Sequence, residues 1–219
     1  MPISEDIDTA FAKFTARKSA LAQATSSDLN ESDTRFKIID RLLVEVMGWD
    51  YSQISTEPLS SAGYLDYLLS AAARRGAIVI EAKALGLLIP NTASKSRAVL
   101  QLTGPVLKPL KAAIDQALSY AAAKGVPFAV ATDGTCWLFF KASRTDGTAP
   151  LDGKGILFPD LDAIEANFAE FYELLSLSAL NSRINLIHLN RAEGGALAIS
   201  EHQYVVLPPL KPSFSPSHL

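Results

Sequence analysis

One cysteine in 219 residues leaves the chain no disulfide of its own. Cys136 sits in the apolar stretch TCWLFF, where a small buried hydrophobe is the reading rather than a nucleophile or a metal ligand. Histidine is almost as scarce. His188, His202 and His218 are scattered through the last quarter without ligand spacing, which argues against zinc or histidine-metal chemistry. No apolar run reaches the roughly 20 residues of a membrane span, because charge or proline interrupts each one. No signal-peptide pattern opens the chain, so the expectation is a cytoplasmic protein with no membrane partner. A nucleophilic-serine elbow and internal repeats are also lacking.

What is present is a hydrophobic share of 48%, ample for the core of one ordinary domain, and a net charge of only −3. That charge is unevenly spread. Between 71 and 125 there are eight basic residues, Arg74, Arg75, Lys83, Lys95, Arg97, Lys108, Lys111 and Lys124, against the acidic Glu81 and Asp115. The segment carries +6 and the rest of the chain −9. Chance clustering on solvated faces is the plain explanation; a phosphate-binding face is the functional one.

Helical spacing of Ile7, Phe11 and Phe14 predicts an amphipathic helix over 5–24. A second is expected from Asn30 to Met47, with Ile38, Ile39, Leu42, Leu43, Val46 and Met47 buried, Gly48 as the stop, and Glu31 and Arg35 off the stripe. Strands follow at about 51–57, 63–70 and 77–83 as an antiparallel meander. Residues 84–108 lack periodicity and read as an irregular excursion with one helical piece. A helix over 109–124 places Gln116 and Tyr120 on one face. VPFAVATDGTCWLFFKA reads as strand, Asp-Gly turn and strand, the first parallel to 77–83 through a helical crossover. A polar linker then leads to GILF and to a helix over 160–176 capped by Asp160. Residues 179–190 read as helix, YVVL as an added strand, and PPLKPSFSPSHL as a proline- and serine-rich tail. The expected organisation is an N-terminal helix (1–27), a core domain (28–176) and a C-terminal extension (177–219).

The chemistry concentrates in YLDYLLSAAARRGAIVIEAKA, residues 64–84. Strand alternation puts Val79, Glu81 and Lys83 on one face and Ile78 and Ile80 on the other. With a hairpin turn centred between Ala73 and Arg74, Asp66 lies directly across from Glu81. Their Cβ atoms would then be about 5 Å apart, two like charges that call for a cation, Lys83 or a metal ion. A register slip of one residue would separate them.

The order of helix, three antiparallel strands, helix and strand, with Asp on the second strand and Glu-x-Lys on the third, resembles the PD-(D/E)xK nuclease superfamily. NESDTRFKIIDRLLVEVMGWD, DYLL, VIEAKA, QALSYAAAKGVPFAVATDG and WLFF resemble, in order, the N-terminal nuclease domain of type I restriction enzyme R subunits, over roughly residues 28–142. The resemblance implies an α/β fold with a restriction-endonuclease-like core, a central mixed sheet of four or five strands flanked by helices. It implies a Mg²⁺-dependent DNA endonuclease, with Mn²⁺ substituting, in a type I restriction-like defence system. Asp66 and Glu81 match the metal-binding carboxylates and Lys83 the catalytic lysine. Glu31 matches the acidic residue of the first core helix, and Gln116 and Tyr120 match QxxxY. The usual Pro-Asp is Leu65-Asp66 here. No GxxxxGK[ST] follows, so translocation is not expected of this polypeptide; motor, methyltransferase and specificity subunits would come from other chains, and self-association is allowed.

Independently of the resemblance, hard carboxylate oxygens suit Mg²⁺, and a protonated Lys83 beside them suits a phosphate transition state. Arg74, Arg75, Lys95, Arg97, Lys108 and Lys111 are the candidate DNA contacts. The alternatives are a catalytically weak nucleic-acid-binding or protein-interaction module of the same fold, and a structural adaptor assembled through the C-terminal quarter.

Overall fold

Asn30 starts the helix that borders the site: its side chain accepts from the Asp33 N–H at 2.8 Å, satisfying one of the donors a helix start leaves free. Helix α2 continues over 31–46, an α-helical turn Glu31–Thr34 leading into π-helical stretches Arg35–Ile39 and Leu42–Val46. Gly48, at φ 76, lies just past its end, where a left-handed residue is needed. The structure, a computed structural model, describes residues 7–24, 29–59, 63–71 and 74–182, together with Leu189 and Ala192.

Helix α1 is Ile7–Ala24. The strands are β1 Ile54–Leu59, β2 Gly63–Ala71, β3 Arg74–Ala82, β4 Ala98–Gln101, β5 Phe128–Thr132, β6 Trp137–Lys141 and β7 Lys154–Phe158. Helix α3 is Lys111–Lys124, followed later by α4 Leu161–Ala166, α5 Phe168–Leu175 and α6 Leu177–Ser182. The sheet runs β1-β2-β3-β5-β6-β7-β4, with β3 and β5 parallel and every other pair antiparallel. The α/β class and the parallel β3–β5 pair agree with expectation. The strand count does not: among the described residues the sheet has seven strands rather than four or five. GILF forms most of β7 on the far edge of β6, and four residues inside the supposed excursion form β4 on the edge of β7. Both are too short to show a period in the sequence.

Two apolar layers cover the sheet. One joins α1, α2 and α4–α6 to Tyr67, Ile78, Ile80, Val130, Phe139 and Phe158. The other joins α3 and the 3₁₀ turn Pro105–Leu110 to Leu65, Val79, Ala131 and Leu138. The N-terminal helix belongs to the first layer: Phe11 and Phe14 pack against Phe168 with tilted rings whose centres are 5.2 and 5.3 Å apart, and Lys18 reaches Glu165 at 2.5 Å. Asp160 caps α4 as expected, accepting from the Ala163 N–H at 2.8 Å. The helix expected over 160–176 is nevertheless two, broken at Asn167, whose Nδ2 donates to Ala163 O at 2.9 Å and competes with the backbone. The expected turn at Asp133-Gly134 joins β5 to β6. Gly134 holds φ 88, and a Cβ there would stand 2.8 Å from Ile38 Cγ2, so the turn can approach α2 only without a side chain. The helix over 179–190 is described as far as Ser182; YVVL and the proline-rich tail lie outside the described residues.

Candidate active site

The site lies where β3 ends, between the start of α2 and α3. Tyr67 pairs with Ile80, Leu68 with Val79 and Leu69 with Ile78, so one further step of this register puts Asp66 across from Glu81. The hairpin reaches that register by another route than the sequence suggests. Ala71 pairs with Arg74, and two extra residues on β3 restore the pairing beyond Leu69. On its other side β2 carries one extra residue relative to β1 in the stretch that holds Asp66, a local kink of the sort that re-aims a side chain.

Glu81 is fully buried and Asp66 is 4% exposed. Asp66 Oδ2 accepts from the Ala82 N–H at 2.9 Å, and Oδ1 accepts from Arg35 Nη1 at 2.9 Å. Arg35 Nη2 also donates to Asp66 O at 3.1 Å. Glu81 Oε1 accepts from Lys83 Nζ, whereas Glu81 Oε2 is buried without a hydrogen-bond partner among the described residues. Lys83 Nζ donates in addition to Gln116 Oε1 at 3.1 Å and lies 3.9 Å from Glu31 Oε2. Gln116 Nε2 donates to Tyr120 OH at 2.8 Å. Glu81, Gln116, Tyr120 and Glu31 are therefore joined through Lys83, whereas Asp66 shares no direct bond with them and meets the group through the Ala82 N–H and the charge of Lys83. Asp66, Glu81, Lys83 and Gln116 form the centre, Glu31 borders it from α2, and the buried Tyr120 holds Gln116 from behind.

Burial dominates the electrostatics. It raises the Glu81 carboxyl to about 7, Asp66 and Glu31 pushing the same way against the Lys83 hydrogen bond. Burial also raises Asp66, opposed by the Ala82 N–H, Arg35 and Lys83. Lys83 is pulled down by burial, but Glu81, then Glu31 and Asp66, more than offset this and hold it above its ordinary value. It is a permanent cation at neutral pH.

Three residues absent from the sequence-derived set shape the site. Arg35 occupies Asp66. Thr34, buried under the start of α2, accepts from the Leu85 N–H at 2.9 Å, and Asp133 Oδ2 accepts from the N–H groups of Gly86 and Leu88 at 3.1 and 3.2 Å. Together they fasten the chain that leaves Lys83. The spacing of Glu31 and Arg35, four apart on α2, was the one available signal for Arg35.

The candidate DNA contacts do not share one face. Lys108 and Lys111 sit on the layer of α3, in the 3₁₀ turn and at the first residue of the helix, Lys111 paired with Asp115. Arg97 instead grips Glu170 of α5 on the opposite layer, at 2.7 and 2.5 Å, and the charge of Lys95 is felt by Asp162 of α4. Arg97 and Lys95 thus correct the expectation of a single basic surface. Arg74 and Arg75 open β3, and their side chains lie outside the described residues.

For a divalent ion, the unpartnered Glu81 Oε2 is the fitting observation: a buried carboxylate oxygen with no donor is the atom a cation would satisfy. Among the described residues no three His, Cys, Asp or Glu side chains converge as a metal-binding group. Two carboxylates match Mg²⁺, which keeps several waters and relies on one or two carboxylates plus substrate phosphate. Among the described residues no helix is long and apolar enough to cross a membrane. Comparison with family models, with curated proteins and with solved structures finds no match to this chain.

Proposed function

We propose that the chain is a Mg²⁺-dependent DNA endonuclease with a restriction-endonuclease-like core, acting in the cytoplasm as a module of a type I restriction-like system. The observation that carries this reading is the convergence of Asp66, Glu81, Lys83 and Gln116 at the end of one strand, with one buried carboxylate oxygen left without a donor among the described residues. The resemblance of residues 28–142 to R-subunit nuclease domains narrows it from phosphodiester chemistry in general to DNA cleavage.

Asp66 and Glu81 would hold the ion, which supplies an activated water and charge neutralisation at the phosphate. The chain's own side chains do the rest. Glu81 must be deprotonated to bind, which Lys83 favours by donating to Oε1. Lys83, charged and aimed by Gln116, is set to orient the water and to stabilise the negative charge that develops on the phosphoryl oxygens. Tyr120 fixes Gln116 and through it the lysine. Lys108, without an ion-pair partner among the described residues, would position the duplex by its phosphates.

A second reading, a binding module with little catalysis, draws on one feature: Asp66 already has a side-chain cation in Arg35. Incubation of supercoiled and linear DNA with the purified chain in Mg²⁺ or Mn²⁺ separates the two. Cleavage by the wild type that is lost in Lys83→Ala supports the endonuclease. Retarded but uncut DNA in every metal supports the binding module.

A further inference from the structure

We infer that Arg35 is a built-in cation of the carboxylate pair, one that a divalent ion must displace from Asp66, so that this side chain sets how much metal the site requires. The inference rests on the reading of Asp66 and Glu81 as a metal-binding pair.

The two oxygens of Asp66 are held in unlike ways. Oδ2 is bonded to the Ala82 N–H, which β3 fixes in place. Oδ1 is bonded to a side chain that can leave, and Arg35 is 27% exposed, with solvent to leave into. The guanidinium rests on a prepared shelf. Its central carbon lies 5.0 Å from the centre of the Tyr67 ring, whose hydroxyl donates to Asp40 Oδ1 at 2.7 Å. Arg35 also opens the π-helical stretch of α2, a local widening that often accompanies function. Because a guanidinium keeps its charge at any working pH, Arg35 neutralises Asp66 whenever no other cation does.

A divalent ion held by the Asp66 and Glu81 carboxylates would stand within a few ångströms of that charge, and two cations at one carboxylate would repel strongly. Glu81, by contrast, has no such occupant on Oε2 among the described residues. Entry of metal therefore exchanges one cation for another at Asp66. The exchange leaves Arg35 beside the site rather than in it.

Calorimetric titration with Mn²⁺ tests this without reference to cleavage. Arg35→Met keeps an unbranched apolar stem over Tyr67 and removes the charge; Arg35→Gln keeps a donor for Asp66 and serves if the methionine variant does not fold; Arg35→Lys keeps the charge. The uncharged variant should bind Mn²⁺ roughly tenfold tighter than the wild type or more, and Arg35→Lys should stay near the wild type. Its melting temperature should fall without metal and recover with saturating Mn²⁺. Wild type that binds Mn²⁺ while the folded uncharged variant binds it equally or more weakly would overturn the inference alone. Absence of Mn²⁺ binding in every folded form would overturn the metal-site reading together with it.

Discussion

Lys83 Nζ donates to Gln116 Oε1 at 3.1 Å, and this bond ties the end of β3 to the middle of α3. The amide is polarised from both sides, since its Nε2 donates to Tyr120 OH at 2.8 Å. Gln116 is thus a positioning residue, turned by a buried tyrosine and presenting its oxygen to the ammonium.

Gln116→Ala removes the lateral support of Lys83 and leaves its bond to Glu81. Cleavage should fall by about tenfold to a hundredfold, less than for Lys83→Ala, with the melting temperature changed by only a few degrees. Tyr120→Phe should produce a smaller fall of the same kind, because it frees the amide without deleting it. Plasmid-cleavage rates for both variants, beside a thermal melt, check the ranking. A Gln116→Ala variant that cuts as fast as the wild type would remove the residue from the proposed site.

Glu81 holds its proton up to about pH 7 in the folded chain against an ordinary value of 4.5. The folded state then binds more protons than the unfolded one between those values, so metal-free stability falls as pH rises from about 4.5 to about 7. Asp66, shifted in the same direction, adds to the fall. The share of Glu81 in the loss is on the order of 3 kcal/mol at most. Chemical denaturation in chelator at a series of pH values should show it, and Glu81→Gln should flatten much of the slope. A stability that rises over that interval in the wild type would contradict the burial argument.

The basic residues divide into two groups with different expected behaviour. Lys108 stands on the α3 layer without an ion-pair partner among the described residues, while Arg97 is already spent on Glu170. Measured in Ca²⁺, Lys108→Ala should flatten the dependence of log K on log salt by about one, and Arg97→Ala should leave it nearly unchanged. Arg97→Ala should instead lower thermal stability by breaking the tie between the chain before β4 and α5.

Much of this arrangement could be read in the sequence, for identifiable reasons. The stripe from Ile38 to Met47 and the faces of α3 come from a period of 3.6, and Gly48 and Asp160 come from cap chemistry. The facing of Asp66 and Glu81 was also legible, though for an incomplete reason. The turn lies closer to Ala71 than strand alternation suggests, and an irregularity of two residues on β3 returns the strands to register at Leu69. Alternation records which residues share a face and carries no mark of a bulge.

What was not legible depends on contacts distant in the chain. The spacing from Glu31 marks the face of α2 that Arg35 occupies but does not point to Asp66, 31 positions on. Arg97 counts as free charge until α5 brings Glu170 to it. Strand β4 has four residues and exists because β7 offers an edge. Tertiary pairing decides all three.

The rate of cleavage of one covalently closed plasmid in Mg²⁺ tests the central claim most directly, measured for wild type, Asp66→Asn, Glu81→Gln, Lys83→Ala and the pairwise combinations. Residues that act as one unit do not add. Each single substitution should lower the rate by about a hundredfold or more, and the pairs should fall little further. Cutting by the double variants at the wild-type rate would show that these three side chains are not the site of the chemistry.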